Sequence, residues 1–366
     1  MIPGWSRSRL ATTIGSLTLA FTLGSGCGGG KGTEPPPPPP PPPNPDQVKL
    51  LVPGFPAIVQ PSDNLATHQG VALGRRLFYD PRLSLNNSQS CGSCHAPAFA
   101  FSDHGRRFSL GAEGQVGDRN SPALVNLAWS GNVFWNGRAE HIEAQALQPV
   151  ENPIEMMEQW PRVVAKLAAD PAYPPLFRAA FGDDEVTADR AVKAIAQFER
   201  TLLSYNSKYD RILRGEESFT PGEERGYNMF FTEKADCFHC HVDYLFTDYG
   251  FHDVGLDNPP ERGRAEVTNR PEDIGRHKVP TLRNVVFSAP YMHDGRFATL
   301  RDVIEHYNRG GAGTPNQSPF VHFGRGLNLT DQDKQDLLDF ILTLTDSSFV
   351  TNPAFQDPFV DGLPSR

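Results

Sequence analysis

Two copies of a Cys-x-x-Cys-His motif constrain this chain of 366 residues more than any other feature of its sequence. The residues of the two copies are Cys91, Cys94 and His95, and Cys237, Cys240 and His241. Residues i, i+3 and i+4 share one face of a helical turn, so two thiols and an imidazole can meet one ligand. The motif is typical of covalent c-type haem attachment, in which the thiols bond the haem vinyl groups and the histidine reaches the iron.

Zinc binding and thiol redox chemistry are the alternative interpretations of the cysteine pairs. A structural zinc site needs four ligands that converge, and the separation of Cys94 from Cys237 exceeds the usual spacing of such sites. A thioredoxin-like pair needs a βαβ context, and the histidine after each pair would then be a coincidence. The sequence therefore favours two covalently bound c-type haem groups, one in each half of the chain.

The N-terminal residues 1–27 have the pattern of an export signal. Arg7 and Arg9 precede an uncharged apolar stretch over Leu10–Leu23, which is shorter than the roughly 20 residues of a membrane-spanning helix. Cys27 directly follows small residues and resembles the lipidated cysteine of a bacterial lipoprotein. We therefore expect a periplasmic protein that a lipid on Cys27 anchors to a membrane. Ordinary signal cleavage nearby, which would leave a free thiol at Cys27, is the alternative.

A segment rich in glycine and proline over residues 28–47 separates this signal from the body of the protein. It contains nine consecutive prolines, Pro35–Pro43, which adopt an extended polyproline II helix. At about 3.1 Å per residue the run forms a stiff spacer of roughly 28 Å. We interpret the segment as a linker. A ligand for an SH3-type domain is the alternative, but an exported lipoprotein has no obvious domain to bind it.

The rest of the chain is predicted to be mainly α-helical, with two cytochrome c-like haem lobes and long irregular loops. Periodic apolar residues predict helices over Val163–Phe181 and Ala188–Leu213, and strands with clean alternation are hard to find. We place the N-terminal lobe at residues 48–214, the C-terminal lobe at residues 215–350 and a tail at residues 351–366. The formal net charge of −9 argues against a nucleic-acid-binding groove, so no nucleic-acid partner is expected.

The two motifs and the stretches around them resemble the bacterial diheme cytochrome c peroxidases and their MauG-like relatives. The resemblance covers nearly all of the chain from Ala72 to Leu344. It rests on the stretches Leu73–Ser84, Arg119–Asn126, Phe134–Ala139, Gln145–Met156, Val279–Asn284 and Pro290–Gly295. Together they are far more specific than the haem motifs alone. The resemblance implies an enzyme that uses peroxide and two haem c groups, with His95 and His241 as the proximal iron ligands.

The resemblance also implies roles for residues around the first haem, which is the peroxidatic haem of the family. Glu155 and Gln145 would meet its open face, with Pro149 lining the same pocket. A carboxylate beside the iron can move a proton between the two oxygens of peroxide. Trp135 matches the tryptophan that lies between the two haems and couples them electronically. From composition alone, Glu155 would be a surface carboxylate and Trp135 a core residue.

A calcium ion between the lobes is another feature of the family. One asparagine side chain and two backbone carbonyls bind it, and by motif position these ligands would be Asn120, Ser288 and Pro290. A ligand set made only of oxygens suits a hard cation such as Ca²⁺. The resemblance thus predicts a calcium ion in addition to the two haem groups.

Two departures from the peroxidases of this family bear on the subclass. Those peroxidases have a histidine that caps the first haem, and Ala112 stands at its place, so we expect this haem to be open to peroxide without activation. They ligate the second haem with a methionine fourteen residues after a histidine, and the residue fourteen after His293 is Tyr307. Tyr307 resembles the tyrosine ligand of MauG-like enzymes. His306 and Met292 are the rival ligands, and a core aromatic is the alternative role of Tyr307.

The sequence therefore predicts an exported diheme peroxidase that reduces hydrogen peroxide with electrons passed from the second haem to an open first haem. A small electron-donor cytochrome or a cupredoxin would be its redox partner. One alternative is a MauG-like enzyme that uses high-valent haem to oxidise tryptophan or tyrosine on a partner protein. A diheme electron-transfer cytochrome without catalysis is the other alternative, and an open haem beside Glu155 argues against it.

Overall fold

Helices form most of the regular structure, as the sequence predicts. The computed structural model describes residues 46–242 and 244–359. Within these ranges the one sheet is antiparallel and pairs β1 (Phe251–His252) with β2 (His277–Lys278). The predicted signal with Cys27, and the linker as far as residue 45, lie outside the described residues. Among the residues that are described, no helix has the length and the apolar composition needed to span a bilayer.

The helices vary in length from single turns to three turns. In chain order they are α1 (His68–Phe78), α2 (Cys91–Cys94), α3 (Ile142–Glu151), α4 (Trp160–Ala169), α5 (Tyr173–Phe181), α6 (Ala188–Glu199), α7 (Lys208–Leu213), α8 (Pro221–Phe230), α9 (Ala265–Thr268), α10 (Leu300–Arg309), α11 (Asp331–Leu342) and α12 (Ser347–Val350). Threonine side chains cap the starts of α8, α10 and α11, and in each case the acidic residue three positions later binds back to the threonine N–H. These caps satisfy backbone donors that a helix start leaves unpaired.

The first hydrophobic cluster lies where α1, α3, α4, α5 and α6 pack together. Phe78 of α1 and Phe198 of α6 meet edge to face in it, with ring centroids 5.3 Å apart. The two helices approach closely because Gly74 has no side chain, since a Cβ there would lie 1.8 Å from the carbonyl oxygen of Ala194. Phe349, from near the end of the described chain, packs into the same cluster.

In the second hydrophobic cluster a glycine again allows two helices to approach closely, here α8 and α11. The rings of Phe230 and Phe340 meet edge to face with centroids 5.1 Å apart. A Cβ on Gly226 would lie 1.9 Å from the carbonyl oxygen of Asp336, so only glycine allows this contact. Each cluster therefore depends on a glycine that faces the backbone of another helix. The lobe boundaries predicted after residues 214 and 350 stay predictions.

The helix predicted over Val163–Phe181 is wrong, because the chain forms α4 and α5 separated at Asp170. The next residue is Pro171, which has no N–H and disfavours helical backbone at the residue before it. Asp170 accordingly has an extended backbone with ψ of 116°. The apolar periodicity continues through this break, which is why the sequence pattern alone predicted one helix.

The helix predicted over Ala188–Leu213 is also wrong, because α6 ends at Glu199 and α7 begins only at Lys208. A tertiary contact holds the segment between them. The side chain of Asn126 donates to the carbonyl oxygen of Ser204 at 3.0 Å and accepts from the N–H of Ser204 at 2.8 Å. These hydrogen bonds satisfy backbone groups that a continuous helix would pair internally.

A buried ion pair fastens α7 to the loop after β2. The Arg283 guanidinium donates to both carboxylate oxygens of Asp210, at 2.8 and 2.9 Å. The two side chains are only 0% and 4% exposed. Arg283 also donates from Nε to the carbonyl oxygen of Tyr244. A bidentate pair of this kind is strong, and losing one partner would leave the other charge buried.

We predict that Arg283→Met lowers the free energy of unfolding by about 3–5 kcal/mol, because the Asp210 carboxylate stays buried without its partner. Chemical denaturation of the haem-loaded protein measures the change. The matched control is Arg211→Met, since Arg211 pairs with Glu217 at the surface and both side chains are 37% exposed. That control should lose less than about 1 kcal/mol. Equal losses in the two variants would contradict the prediction.

Candidate active site

A cavity of about 560 Å³ lies against the first Cys-x-x-Cys-His motif. The motif forms the single turn α2, whose start is a capping box between Ser90 and Ser93. Cys91, Cys94 and His95 all line the cavity. Its volume is in the range of cofactor sites in proteins. The three donors of the motif therefore converge on one space, as covalent haem attachment requires.

His95 has the hydrogen bonding of an axial haem ligand. Its Nδ1 lies 2.6 Å from the carbonyl oxygen of Phe101, and since a carbonyl only accepts, Nδ1 carries the proton. Burial lowers the pKa of His95, which keeps the imidazole neutral. The lone pair of Nε2 is then available to iron, and the bond to Phe101 sets the orientation of the ring.

Gln145, Pro149 and Glu155 line the same cavity. The first two stand on α3, and Glu155 follows in the loop after it. Asn152 donates from Nδ2 to Oε1 of Glu155 at 2.7 Å. Burial raises the pKa of Glu155 above its usual 4.5, so the cavity favours the protonated carboxyl group more than water does. The residues that the resemblance assigns to the open haem face thus line the same cavity as His95.

Ala112, at the place of the capping histidine of related peroxidases, packs against the loop of Glu155. Its N–H donates to the carbonyl oxygen of Glu155 at 2.7 Å. Its own carbonyl oxygen accepts from Nδ2 of Asn86 at 2.6 Å. A methyl side chain cannot bind iron, so position 112 supplies no ligand that would compete with peroxide.

Trp135 borders the same cavity and is tied to the C-terminal half of the chain. Its indole Nε1 donates to the carbonyl oxygen of Asn120 at 2.7 Å, and its own carbonyl oxygen accepts from the N–H of Lys278 at 2.7 Å. The indole meets the ring of His293 edge to face, with centroids 6.4 Å apart. Trp135 therefore joins the wall of the first cavity to residues of the second half.

The second motif repeats the histidine arrangement of the first. A 3-10 turn over Cys237–His239 leads into Cys240 and His241. Nδ1 of His241 lies 2.9 Å from the carbonyl oxygen of Phe246, and burial lowers the pKa of His241. Phe101 and Phe246 both have a positive φ, 61° and 52°. Each of the two histidines is therefore oriented by a loop residue with a left-handed backbone conformation.

Tyr307 of α10 lies beside the second motif. Burial raises its pKa, and electrostatic interactions with Cys240 and Cys237 raise it further, so Tyr307 is close enough to the second motif to interact with it. The rival ligands are engaged elsewhere. Nε2 of His306 lies 2.8 Å from the carbonyl oxygen of Val254, and Met292 lines the first cavity. Among these three candidates, Tyr307 has the position that fits a ligand of the second haem.

An internal structural repeat that the sequence analysis missed relates the two sites. Asn126 and Asn284 each precede a 3-10 turn and have φ of 58° and 59°. A tight turn follows in each half and then α3 or α10; the bridges that close the two turns are Val133–Ala139 and Tyr291–Phe297. The recurring Leu-x-Asn and Gly-Arg pairs are the sequence signal for this repeat.

The repeat puts Pro149 and Tyr307 at equivalent helical positions. Pro149 stands twelve residues after Gly137 of the first turn, and Tyr307 stands twelve residues after Gly295 of the second. Pro149 has no group that binds iron, whereas Tyr307 carries a phenol. One substitution at one repeated position therefore makes the first site suitable for an exogenous ligand and the second suitable for a protein ligand.

Lys278 is a charged residue of the first cavity that the sequence analysis did not single out. Its ammonium group contacts the hydroxyl of Ser130 and lies 4.9 Å from the ring centroid of Tyr249. Burial alone lowers its pKa to about 7, with no carboxylate of the described residues acting on it. A haem propionate would supply the missing negative charge, so Lys278 fits a haem in this cavity.

Glu199, the last residue of α6, also lines the first cavity and was likewise not singled out from the sequence. It is only 4% exposed. Burial raises its pKa to about 8, so its side chain is protonated at neutral pH. The neighbouring Gln197 and Arg200 are also buried. Polar residues on the side of α6 that also buries Ile195 and Phe198 are the signal that points to Glu199.

The alternative roles of the cysteines do not fit their surroundings. Burial raises the pKa of Cys94 to about 11 and that of Cys237 to about 12, so these thiols are poor nucleophiles at neutral pH. Across residues 46–242 and 244–359, no cysteine belongs to a cluster of three or more side chains that would hold a metal ion. Both observations favour covalent haem attachment over zinc binding or thiol redox chemistry.

The three predicted calcium ligands, Asn120, Ser288 and Pro290, also border the first cavity. Nδ2 of Asn120 donates to the carbonyl oxygens of Arg106 and Arg107 at 3.1 Å each. The amide nitrogen is thereby hydrogen-bonded, and the oxygen Oδ1 of the same amide group is left to bind a cation. The calcium ion itself stays a prediction.

Comparisons with known proteins point to one family. A family model described as di-haem cytochrome c peroxidase matches residues 68–218. The methylamine utilization protein MauG of Methylorubrum extorquens is 38% identical over 292 residues, which are 79% of this chain and 81% of that protein. The cytochrome c551 peroxidase of Nitrosomonas europaea is 38% identical over 279 residues, which are 75% of this chain and 79% of that protein.

Solved structures give the same result. A MauG-like protein associated with microbial copper homeostasis superposes with a TM-score of 0.78 at 36% identity, over 86% of this chain and 99% of that one. The diheme peroxidase BthA of Burkholderia thailandensis superposes with a TM-score of 0.69 at 24% identity, over 80% of this chain and 91% of that one. The second likeness supports the fold alone, and the first extends to the sequence.

We predict that Glu199→Gln removes a pH dependence of stability. The pKa of Glu199 is about 8 in the fold and 4.5 in its ordinary state, so unfolding releases a proton between these values. Wild-type stability should therefore fall as the pH rises through this window, by at most about 1.4 kcal/mol per pH unit. Because glutamine does not ionise, the variant should lack this component.

Thermal unfolding of the haem-loaded proteins at about pH 5 and about pH 8 measures the difference. The control is Glu224→Gln, which changes an exposed glutamate and should behave as the wild type does. If Glu199→Gln and the wild type lost equal stability over this interval, Glu199 would not be the titrating group.

Proposed function

Because the chain belongs to the di-haem cytochrome c peroxidase family and is an oxidoreductase with peroxide as acceptor, we propose that it is an exported peroxidase that reduces hydrogen peroxide. In this proposal the first haem receives peroxide, and the second passes on electrons from a small donor cytochrome or a cupredoxin. The observation that carries the proposal is the common cavity of Cys91, Cys94, His95 and Glu155.

Glu155 is proposed to handle the proton of the substrate. A bound haem c supplies the iron at which the O–O bond of peroxide is cleaved. The Glu155 carboxylate would take a proton from one oxygen of peroxide and return it to the other, which would leave as water. The whole reduction of one peroxide to two waters takes up two electrons and two protons, and the donor protein would supply the electrons. Asn152 holds the carboxylate in place for both transfers.

Trp135 is proposed to carry electrons between the two haems. Its indole borders the first cavity and contacts the ring of His293 from the C-terminal half. The indole N–H is bound to the backbone carbonyl of Asn120, which cannot take up a proton. The indole therefore keeps its proton when it passes an electron, and electron transfer does not wait for a proton acceptor.

MauG-like oxidation of tryptophan or tyrosine on a partner protein is the second candidate function. The observation that favours it is the position of Tyr307 beside the cysteines of the second motif. A phenolate is a hard anionic ligand, which lowers the potential of a haem and so favours the loss of electrons from it. Glu155 would serve in the same way, and the electrons would come from the partner protein.

A calcium ion and a lipid anchor complete the proposal. The oxygen of the Asn120 side chain and the carbonyls of Ser288 and Pro290 would bind Ca²⁺ between the two lobes. A lipid on Cys27, outside the described residues, would hold the enzyme at a membrane surface in the periplasm. The proline-rich linker would then set the distance between the membrane and the catalytic body.

We predict that Glu155→Gln slows the reaction with hydrogen peroxide by about 10²–10⁴-fold, because glutamine cannot accept the substrate proton. The wild-type rate should rise with pH as Glu155 loses its proton, through a midpoint above its usual 4.5 because burial raises its pKa. The variant should show no such rise. Stopped-flow spectroscopy of the haem-loaded protein measures both effects.

Glu151→Gln, which alters an exposed residue of α3, is the control. An unchanged rate in Glu155→Gln would remove Glu155 from the mechanism.

We predict that Tyr307→Phe changes the optical and electron paramagnetic resonance spectra of the second haem and leaves the spectrum of the first unchanged. The phenolic oxygen is the ligand atom that this variant removes. Tyr205→Phe, which alters an exposed tyrosine, is the matched control. If the spectra of Tyr307→Phe and the control were the same, Tyr307 would not be a haem ligand and the second candidate function would lose its support.

Peroxide added to the wild-type protein together with a reduced small cytochrome c separates the candidate functions. Rapid and repeated oxidation of the cytochrome supports the peroxidase. Oxidising equivalents that persist on the protein despite the donor support oxidation of a partner protein. No reaction of either haem with peroxide would overturn both proposals and leave an electron-transfer cytochrome.

A further inference from the structure

Glu261, His277 and His293 form a cluster of metal-binding side chains apart from both haem motifs. One ligand atom of each lies within 4.8 Å of the others. Nε2 of His293 contacts Oε1 of Glu261 directly, and Nε2 of His277 lies 3.8 Å from the same oxygen. The three residues come from the loop before α9, from β2 and from the turn before α10. Tertiary packing alone therefore brings them together.

His277 is buried with one nitrogen unsatisfied. Its side chain is 10% exposed, and its Nε2 has no hydrogen-bond partner among the described residues. Its Nδ1 lies 3.1 Å from the carbonyl oxygen of Gly275, so Nδ1 carries the proton and Nε2 the lone pair. A buried acceptor without a partner is costly, and native structures resolve such cases with a water or an ion.

A small cavity of about 10 Å³ adjoins the cluster and is lined by all three residues together with Asp253 and Asp257. This is about the volume that one water molecule or one ion occupies. Asp253 is 3% exposed and adds a carboxylate to the wall, whereas Asp257 is paired with Arg296. The cavity therefore offers space for a single atom in a negative environment.

We propose that Glu261, His277 and His293 bind a divalent transition-metal ion, for which Zn²⁺ is the probe. Two imidazoles and one carboxylate suit borderline cations such as Zn²⁺ and are poor ligands for Ca²⁺ or Mg²⁺. Tetrahedral Zn²⁺ with bonds of about 2.0 Å needs donor atoms roughly 3.3 Å apart, and the three donor atoms of the cluster lie within 4.8 Å of one another. Three protein ligands leave a fourth position for water.

Two neighbouring contacts define how the site accepts the ion. Arg119 binds Oε2 of Glu261 at 2.6 Å, which orients the carboxylate and leaves Oε1 for the metal. The imidazoles of His277 and His293 are stacked, with centroids 3.6 Å apart and planes at 7°. Both rings must turn so that their nitrogen lone pairs meet at one point. Binding of the ion would therefore replace the stacking contact between the two rings with two coordination bonds.

The internal repeat makes this site unique to the second half of the chain. By that repeat, His277 corresponds to Arg119 and His293 corresponds to Trp135. Neither counterpart binds a metal, so we expect one ion per chain and no second site in the first half.

The test is Zn²⁺ binding by the full-length, haem-loaded protein in excess Ca²⁺, measured by isothermal titration calorimetry and by metal analysis. The wild type should bind one Zn²⁺ more than His277→Gln and Glu261→Gln, and Zn²⁺ should raise the melting temperature of the wild type but not of these two variants. His68→Gln, which changes an exposed histidine of α1, is the matched control and should bind as the wild type does. Equal Zn²⁺ binding in all four proteins would overturn the proposal.

X-ray absorption at the zinc edge of the wild type tests the same site without any substitution, so a variant that fails to fold does not decide the question. Scattering from two imidazoles at about 2.0–2.1 Å is the expected result. A spectrum with oxygen ligands only, or with one imidazole, would overturn the proposal, because the cluster must supply two histidines.

Discussion

The hydrogen bond from Nδ1 of each motif histidine to a backbone carbonyl is the interaction on which both sites depend. It sets the tautomer and the ring orientation of His95 and His241, so that Nε2 of each carries a lone pair in a defined direction. The acceptors, Phe101 and Phe246, lie in loops with a left-handed residue. A helix or strand would use these carbonyls internally, which is one physical reason why the chain keeps irregular loops beside its haem motifs.

The two halves share this scaffold and differ in a few side chains at equivalent positions. Pro149 lines the first cavity where the equivalent residue at the second site is Tyr307. Glu155 and Gln145 join Pro149 around the same space. The chemical asymmetry of the protein therefore resides in side chains placed on a duplicated backbone.

Local patterns predicted the mainly helical fold, and the family resemblance predicted the grouping of candidate residues around the first motif, but local patterns failed where distant segments meet. Asn126 holds the segment between α6 and α7 by binding the backbone of Ser204, a contact between residues far apart in sequence. Lys278 acquires its lowered pKa only through burial in the fold. Neither effect leaves a periodic signal, because hydrophobic periodicity reports only which face of a segment is buried and not what it meets.

The sequence by itself determined two sites suited to covalent haem attachment, since spacing within one helical turn is enough to bring two thiols and an imidazole to one face. The choice of Tyr307 over methionine as a ligand of the second haem rests on the family resemblance at a counted position and stays a prediction. Only the tertiary structure decided that Glu199 is buried, that Trp135 contacts His293, and that three metal-binding side chains converge. These outcomes require segments that are distant in the chain to pack together, and their energies come from desolvation and charge, which depend on the packed neighbours rather than on local sequence.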